Sequence, residues 1–305
     1  MDDPPKPSRP QLSLSSESVY QRRRRLAGAG TLAVAALLVW AISTFAVSDP
    51  STPAEPSFTA RLVKAGGTET GSLMANRLAD ERKAVARTLA TTPYIVKGGG
   101  EARVVALTFD DGPSEFTPQI VSILRKSGIA ATFFTVGQMY PTFANNALAA
   151  FQDGYAVENH TYSHSSMPTL SVPDQASEID RASAAMKQSG LPSAQLFRPP
   201  YGAFNSVSTK ITAKRKMLLV LWDVDTLDWA KPGADAIVSN ALTRVRPGSI
   251  ILMHDGGGDR SQTVAALPQI ISGLRARGYR LVTVPRLLAD DPPRPGETPP
   301  ALGQA

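Results

Sequence analysis

Residues 104–113 read VVALTFDDGP, an apolar run that ends in two carboxylates and a turn dipeptide. A short, continuous apolar run predicts a β-strand that is buried on both faces. Four further runs have the same character, namely ATFFTV (131–136), LLVLWDV (218–224), SIILM (249–253) and YRLVTV (279–284). Helical patterns lie between them, so the predicted fold class is α/β, with a parallel sheet that is either open and doubly wound or closed into a barrel.

Two of the helical patterns carry clear stop signals. TPQIVSILRKSG (117–128) and TVAALPQIISGLRARG (263–278) have apolar residues at helical spacing, and each ends in a glycine. Glycine commonly ends helices because it adopts the left-handed conformation without steric cost. We therefore predict helices that stop at Gly128 and Gly278.

The composition excludes several classes of protein. The 305 residues include no cysteine, which rules out a disulfide framework and a thiolate metal site. The net charge is +6, but residues 1–25 hold six basic and three acidic side chains and so contribute +3, half of the total. The rest of the chain shows no basic stripe interleaved with aromatic residues, so we expect no nucleic-acid partner.

The segment 26–47 is uncharged over its 22 residues, long enough to cross a bilayer core of about 30 Å. Four arginines precede it and an acidic flank follows it, so the positive-inside rule keeps the N-terminus in the cytoplasm. The alternative is a cleaved signal peptide, although the run is longer than the usual hydrophobic region of one. We expect an uncleaved single-pass anchor that places the remaining chain outside the membrane.

These features divide the chain into five predicted parts. They are a basic cytoplasmic tail (1–25), the transmembrane signal-anchor (26–47), a Pro/Ser-rich spacer with a short helix (48–101), one folded domain (102–288) and a disordered Pro-rich tail (289–305).

Carboxylates and histidines gather where the predicted strands end. Asp110 and Asp111 end the first run, His254 and Asp255 end SIILM, and three aspartates follow LLVLW at 223, 225 and 228. In parallel α/β folds the carboxyl ends of the strands form the active face. The sequence therefore predicts a site at this edge of the sheet.

A metal site is one interpretation of these residues. His160 and His164 are spaced i,i+4, which on a helical turn places both rings on one side. Alone, this spacing is more typical of structural histidines, and Asp-Asp-Gly-Pro is equally typical of a polar turn. Two histidines with one aspartate, however, suit zinc or a similar divalent ion with a position left open for water.

Five segments, taken in order, resemble the polysaccharide deacetylases with a NodB homology domain, carbohydrate esterase family 4. They are Thr108 to Pro113, His160 to His164, Arg198 to Tyr201, Asp225 to Trp229 and Leu252 to Asp255. The resemblance covers roughly residues 102–288, and no departure falls within a motif. It implies a distorted (β/α)7 barrel, which the predicted transmembrane helix would precede.

The resemblance also implies a role for each matched residue. Asp111, His160 and His164 would hold a divalent metal, zinc foremost, with cobalt or another ion as alternatives. Asp110 would be the general base, oriented by Arg198. His254 would be the general acid, kept charged by Asp228. The Tyr201 backbone N–H would help hold the oxyanion, and Trp229 and Leu252 would flank the acetyl methyl.

The function expected from the resemblance is removal of acetyl groups from N-acetylated sugars. The predicted position outside a bacterial membrane indicates N-acetylglucosamine residues of peptidoglycan as the substrate. The N-acetylmuramic residue, an exported polysaccharide and an O-acetyl ester of the xylan type are alternative substrates. A non-catalytic polysaccharide-binding domain and a non-haem iron oxygenase are alternatives from other classes. The expected partners are an acetylated polysaccharide, either of the cell wall or exported, and the membrane. No obligate protein partner is inferred.

Overall fold

The computed structural model describes residues 68–294. The predicted cytoplasmic tail, the predicted anchor at 26–47 and the first part of the spacer therefore lie outside the described residues, as does the chain from 295 onward. Within 68–294, no helix combines the length and the apolar character needed to cross a bilayer.

The described residues form one nine-stranded sheet in which the ladders between named strands are all parallel. In chain order the strands are β1 (Tyr94–Ile95), β2 (Val104–Asp110), β3 (Thr132–Thr135), β4 (Ala156–Asn159), β5 (Leu196–Phe197), β6 (Leu218–Val220), β7 (Val224–Asp225), β8 (Ile250–His254) and β9 (Arg280–Val282). Their spatial order is β1-β6-β5-β4-β3-β2-β8-β7, and β9 pairs with the start of β2.

Eight α-helices accompany the described strands. They are α1 (Thr68–Thr91), α2 (Thr117–Ser127), α3 (Tyr140–Gln152), α4 (Val172–Gln188), α5 (Ser206–Lys214), α6 (Ala234–Thr243), α7 (Ser261–Ala276) and α8 (Val284–Asp290). The predicted stop at Gly128 is confirmed, since this residue follows α2 with a φ of 59°. Gly278 also has a positive φ, but α7 already ends two residues earlier.

The side chains of β2 alternate between two cores. Val105, Leu107 and Phe109 pack in the larger cluster, which also contains buried residues of the helices α2, α3 and α7. Val104 and Ala106 join a second cluster formed largely by strand residues. Because neighbouring strand residues point to opposite faces, both faces of β2 are covered, as the apolar run predicted.

The distorted barrel expected from the resemblance takes the form of a curled, parallel half-barrel. The run LLVLWDV forms two strands, β6 and β7, that lie far apart in the sheet order. The two ends of the sheet are β1 and β7, and no ladder joins them among the described strands. Each of these end strands has two residues.

The predicted spacer is partly folded against the domain. The short helix expected in the spacer is the 24-residue helix α1, and Ala84 and Val85 on it are buried in the second cluster together with Leu287 of α8. After α1, the strand β1 pairs with β6. The packed region therefore begins well before residue 102.

The folded part also extends beyond residue 288, the predicted end of the domain. The backbone N–H groups of Gly100 and Glu101 donate to the two carboxylate oxygens of Asp291, at 2.8 and 3.1 Å. The N–H of Gly99 donates to the Asp291 carbonyl at 2.9 Å. Residues 289–291 thus belong to the folded part, because they satisfy backbone donors almost two hundred positions earlier in the chain.

Candidate active site

The two aspartates at the end of β2 reach one site because the backbone turns between them. Asp110 is the last residue of β2, and Asp111 has a φ of 73°, in the left-handed region. Both side chains then lie near His160, whose Nε2 is 3.7 Å from Asp110 Oδ2 and 3.5 Å from Asp111 Oδ1. The strand-end position predicted for this pair is confirmed.

The segment that carries the two histidines is a loop, so the predicted helical turn is wrong. It follows β4, and Thr161 and His164 both have positive φ, at 68° and 60°. The Asn159 side chain accepts the Thr161 N–H at 2.9 Å. Glu178 on α4 accepts the next two backbone N–H groups, at 3.0 and 2.7 Å. These side chains replace the helical hydrogen bonds and hold the loop over the site.

Asp111, His160 and His164 have the properties of a metal site. One potential ligand atom of each lies within 4.8 Å of the others, and His164 Nε2 is 3.0 Å from Asp111 Oδ1. That carboxylate oxygen is buried and has no hydrogen-bond partner among the described residues. His160 Nδ1 donates to the Arg198 carbonyl at 2.7 Å, which leaves the Nε2 lone pair facing the cluster. The donor set fits a divalent cation.

The electrostatics of this cluster favour an ionised Asp111. Burial alone would raise the pKa of the Asp111 carboxyl, but His164 and His160 together hold the pKa well below its usual value. A deprotonated carboxylate is the form that binds a cation.

Arg198 anchors Asp110 from inside the half-barrel. The arginine is fully buried, and its Nη1 donates to Asp110 Oδ1 at 2.7 Å and to Thr108 Oγ1 at 2.8 Å. Its remaining N–H groups donate to the carbonyls of Val220 and Leu221, and its Cζ lies 4.1 Å from the centre of the Phe134 ring. With Oδ1 held in this way, Asp110 Oδ2 is the oxygen that faces the histidines.

His254 and Asp228 form the second half of the site. His254 Nδ1 donates to Asp228 Oδ1 at 2.7 Å, and the His254 backbone N–H donates to Oδ2 at 2.8 Å. Burial acts to lower the pKa of His254, but the Asp228 carboxylate outweighs burial and raises the pKa to about 9. His254 pairs with Asp110 in the β2–β8 register, so the two halves lie side by side.

The residues expected around the acetyl group lie at the same edge of the sheet. Leu252 is on β8, two positions before His254, so the two side chains share a face of the strand. Tyr201 has a φ of 61°, and its ring meets the His164 ring edge-on at 4.8 Å. Trp229 lies beside Asp228 in a short 3₁₀ helix and is 48% exposed, so it is not the plain core residue that an isolated tryptophan suggests.

Sequence reasoning placed one residue wrongly and missed others. Asp223 lies immediately before β7, where its carboxylate accepts hydrogen bonds from the Ser249 hydroxyl and the Ile250 N–H, away from the site. Glu178, which holds the histidine loop, and Thr263, which donates to Asp228 Oδ2 at 2.7 Å, were not identified. Both belong to helices that are distant in sequence from their partners, and no local pattern marks them.

Comparison with known proteins agrees with this geometry. The family model described as polysaccharide deacetylase matches residues 97–220. A peptidoglycan-N-acetylglucosamine deacetylase of Bacillus cereus is 35% identical over 196 residues, which cover 64% of this chain and 71% of that protein. A chitooligosaccharide deacetylase of Bradyrhizobium is 37% identical over 199 residues, or 61% of this chain and 90% of that protein.

A solved structure shares both the fold and the sequence. The Bc1960 peptidoglycan N-acetylglucosamine deacetylase superposes with a TM-score of 0.64 at 33% identity, and the match covers 68% of this chain and 97% of that one. The fold, the ordered motifs and these relatives lead to one assignment. The chain belongs to the polysaccharide deacetylases of carbohydrate esterase family 4, hydrolases that act on carbon–nitrogen bonds other than peptide bonds.

Proposed function

We propose that this deacetylase removes the acetyl group from N-acetylglucosamine residues of peptidoglycan and that zinc is its metal. The observation that carries the catalytic part is the pairing of a three-ligand cluster with a separate buried base and acid in one site. A divalent cation held by Asp111, His160 and His164 would supply Lewis acidity to water and to the acetamide carbonyl.

Asp110 is the base in this proposal. Its Oδ1 is bound to Arg198 and its Oδ2 faces the ligand cluster, so Oδ2 is the atom placed to take a proton from the attacking water. The fixed guanidinium keeps the carboxylate in one orientation. The Tyr201 N–H is assigned to the developing oxyanion, and Trp229 and Leu252 to the two sides of the acetyl methyl.

His254 is the acid in this proposal. An amine leaves poorly unless it is protonated, and His254 with a pKa of about 9 carries two protons at neutral pH. Nδ1–H is engaged by Asp228, so the Nε2 proton is the one that can be delivered.

Metal removal tests the ligand assignment. Chelation of the full-length chain is expected to abolish acetate release, and added zinc is expected to restore it, because a cation is required for water activation. His164→Ala should lose both bound metal and turnover, since it removes one of three ligands. Full metal retention by His164→Ala, measured by atomic emission after gel filtration, would reverse the assignment.

The substrate assignment rests on the relatives and on the predicted anchor. An enzyme held outside the membrane meets the cell wall, and the matched relatives are named for peptidoglycan and chitooligosaccharide. Acetate release should be compared on isolated peptidoglycan, chitin oligomers and acetylated xylan. Release from chitin oligomers alone would end the peptidoglycan proposal, and release from xylan alone would make the chain an O-acetyl esterase.

The pH dependence tests the acid. The raised pKa means that His254 is protonated below about pH 9 and loses its proton as the pH rises through that value. The alkaline limb of kcat/KM, which reports the free enzyme, is therefore expected no higher than about pH 9. Asp228→Asn removes the carboxylate and leaves burial to lower the pKa, so the limb should move down by roughly 2 units. An unmoved limb in a folded, metal-loaded Asp228→Asn variant contradicts the role of this pair.

A further inference from the structure

We propose that Arg260 is a positioning residue. Through Gly256 and Gly257 it fixes the position of the metal ligand Asp111 relative to Asp228, the partner of the acid. The inference rests on the proposed function, because it assigns Asp111 to the metal and Asp228 to the acid. It concerns the chain just after His254, where the sequence reads DGGGDRS (255–261). We call Gly256 and Gly257 the glycine brace.

The glycine brace lies directly against Asp111. A Cβ on Gly256 would stand 2.1 Å from the Asp111 carbonyl oxygen, and a Cβ on Gly257 would stand 2.4 Å from Asp111 Oδ2. Neither distance leaves space for a methyl group. The next residue, Gly258, has open space within 4 Å of the equivalent position. The close approach is thus confined to the two residues that touch the aspartate.

This contact divides the two oxygens of Asp111 between different neighbours. Oδ1 faces His160 and His164, at 3.5 and 3.0 Å, whereas Oδ2 is covered by Gly257. The Gly257 backbone beside Oδ2 leaves the carboxylate little room to rotate away from the histidines. The brace therefore presents Oδ1 to the metal, a supporting contact of the kind that tunes metal sites.

Arg260 connects the brace to the acid. The side chain is 4% exposed, and its Nε donates to the Gly256 carbonyl at 2.6 Å. Its Nη2 donates to the Gly257 carbonyl at 3.3 Å, and its Nη1 reaches the Asp228 carbonyl at 3.5 Å. One rigid guanidinium fork thereby contacts the backbone that supports Asp111 and the backbone of the residue that holds His254.

Two matched glycine variants test the close approach in the full-length chain. Gly257→Ala places a methyl group against Asp111 Oδ2, whereas Gly258→Ala places one in open space. Both backbones have positive φ, 74° and 126°, so both substitutions are strained, and Gly258 has the less favourable angle for alanine. We expect Gly257→Ala to weaken zinc binding about tenfold or more. Gly258→Ala should stay within about threefold of the parent. Equal loss in the two variants, or a greater loss in Gly258→Ala, would show that strain alone acts and would overturn the proposal.

Arg260 variants test the connection. Arg260→Met fills the space without donors and is expected to weaken zinc binding about tenfold. Because the Asp228 backbone loses a contact, the alkaline limb of kcat/KM is also expected to change its pH. Arg260→Lys retains the cation and one donor nitrogen, and should recover part of both effects. A folded Arg260→Met variant with the parental zinc affinity and pH limb would overturn the proposal. If Arg260→Met does not fold, Arg260→Lys with parental values in both measurements overturns it instead.

Zinc affinity is measured by competition with a chromophoric chelator, and this readout does not depend on turnover. A parent chain that binds zinc but releases no acetate would therefore refute the proposed function while leaving the affinity comparisons to decide the role of the brace.

Discussion

Asp110→Asn in the full-length chain is expected to lower kcat for acetate release by about 10²- to 10⁴-fold while zinc remains bound. Asparagine keeps the shape of the side chain and one oxygen for Arg198, which donates to Asp110 Oδ1 at 2.7 Å. It offers no basic atom toward the ligand cluster, where Asp110 Oδ2 now lies 3.7 Å from His160 Nε2. Asp110→Asn therefore loses proton abstraction from water but retains the metal ligands Asp111, His160 and His164.

The matched control for this variant is Asp180→Asn. Asp180 also forms an aspartate–arginine pair, with Arg215 at 2.6 Å, but at the surface and away from the site. An exposed pair of this kind contributes little, so activity and metal content should both stay near the parental values. Loss of zinc from Asp110→Asn, or retention of more than about a tenth of the parental kcat, would show that Asp110 is a ligand or a bystander.

His254→Ala is expected to separate two kinds of substrate. On an N-acetylated sugar, kcat should fall by about 10²- to 10⁴-fold, because the departing amine must be protonated. On an aryl acetate ester, whose phenolate leaves without a proton, the loss should be below about tenfold. The same variant thus distinguishes protonation of the leaving group from every earlier step.

Lys231→Ala provides the comparison for His254→Ala. Lys231 is an exposed cation just after the 3₁₀ helix that carries Asp228, and it forms a long ion pair with Asp259 at 3.9 Å. Its removal should change hydrolysis of both substrates equally and slightly. An equal, large loss on the amide and on the ester in His254→Ala would exclude the acid role and indicate a structural one.

The strands that sequence analysis identified are those that lie within continuous apolar runs. β2 is seven residues of unbroken burial, and its pattern predicted both its position and its two covered faces. β1 and β5 have two residues each, and β4 ends in Glu158 and Asn159, so no apolar run marks these three strands. The packing of α1 was equally hidden, since an amphipathic pattern predicts a buried face but not the surface that covers it.

The candidate site was predictable where chemistry is concentrated in short motifs. Asp110, Asp111 and His254 stand at strand ends, and general rules for parallel sheets placed them together. The histidine loop was assigned the wrong backbone, because the i,i+4 spacing is shared by helices and by loops held from outside. Glu178 acts from the helix that follows the loop, and Arg260, although only four residues from Gly256, lies in no matched motif. Only three-dimensional packing reveals these two contacts.

The position of β2 in the sheet has a consequence for how the chain reaches its native state during synthesis. β2 is the first long strand to emerge, yet two of its three neighbours, β8 and β9, come from residues 250–282. One edge of this apolar strand therefore stays uncovered until most of the chain has been made. Contacts of such large sequence separation form slowly. The domain is therefore expected to complete its folding only after the residues beyond 282 have been synthesised. Until then, β2 is the segment that depends most on protection from aggregation.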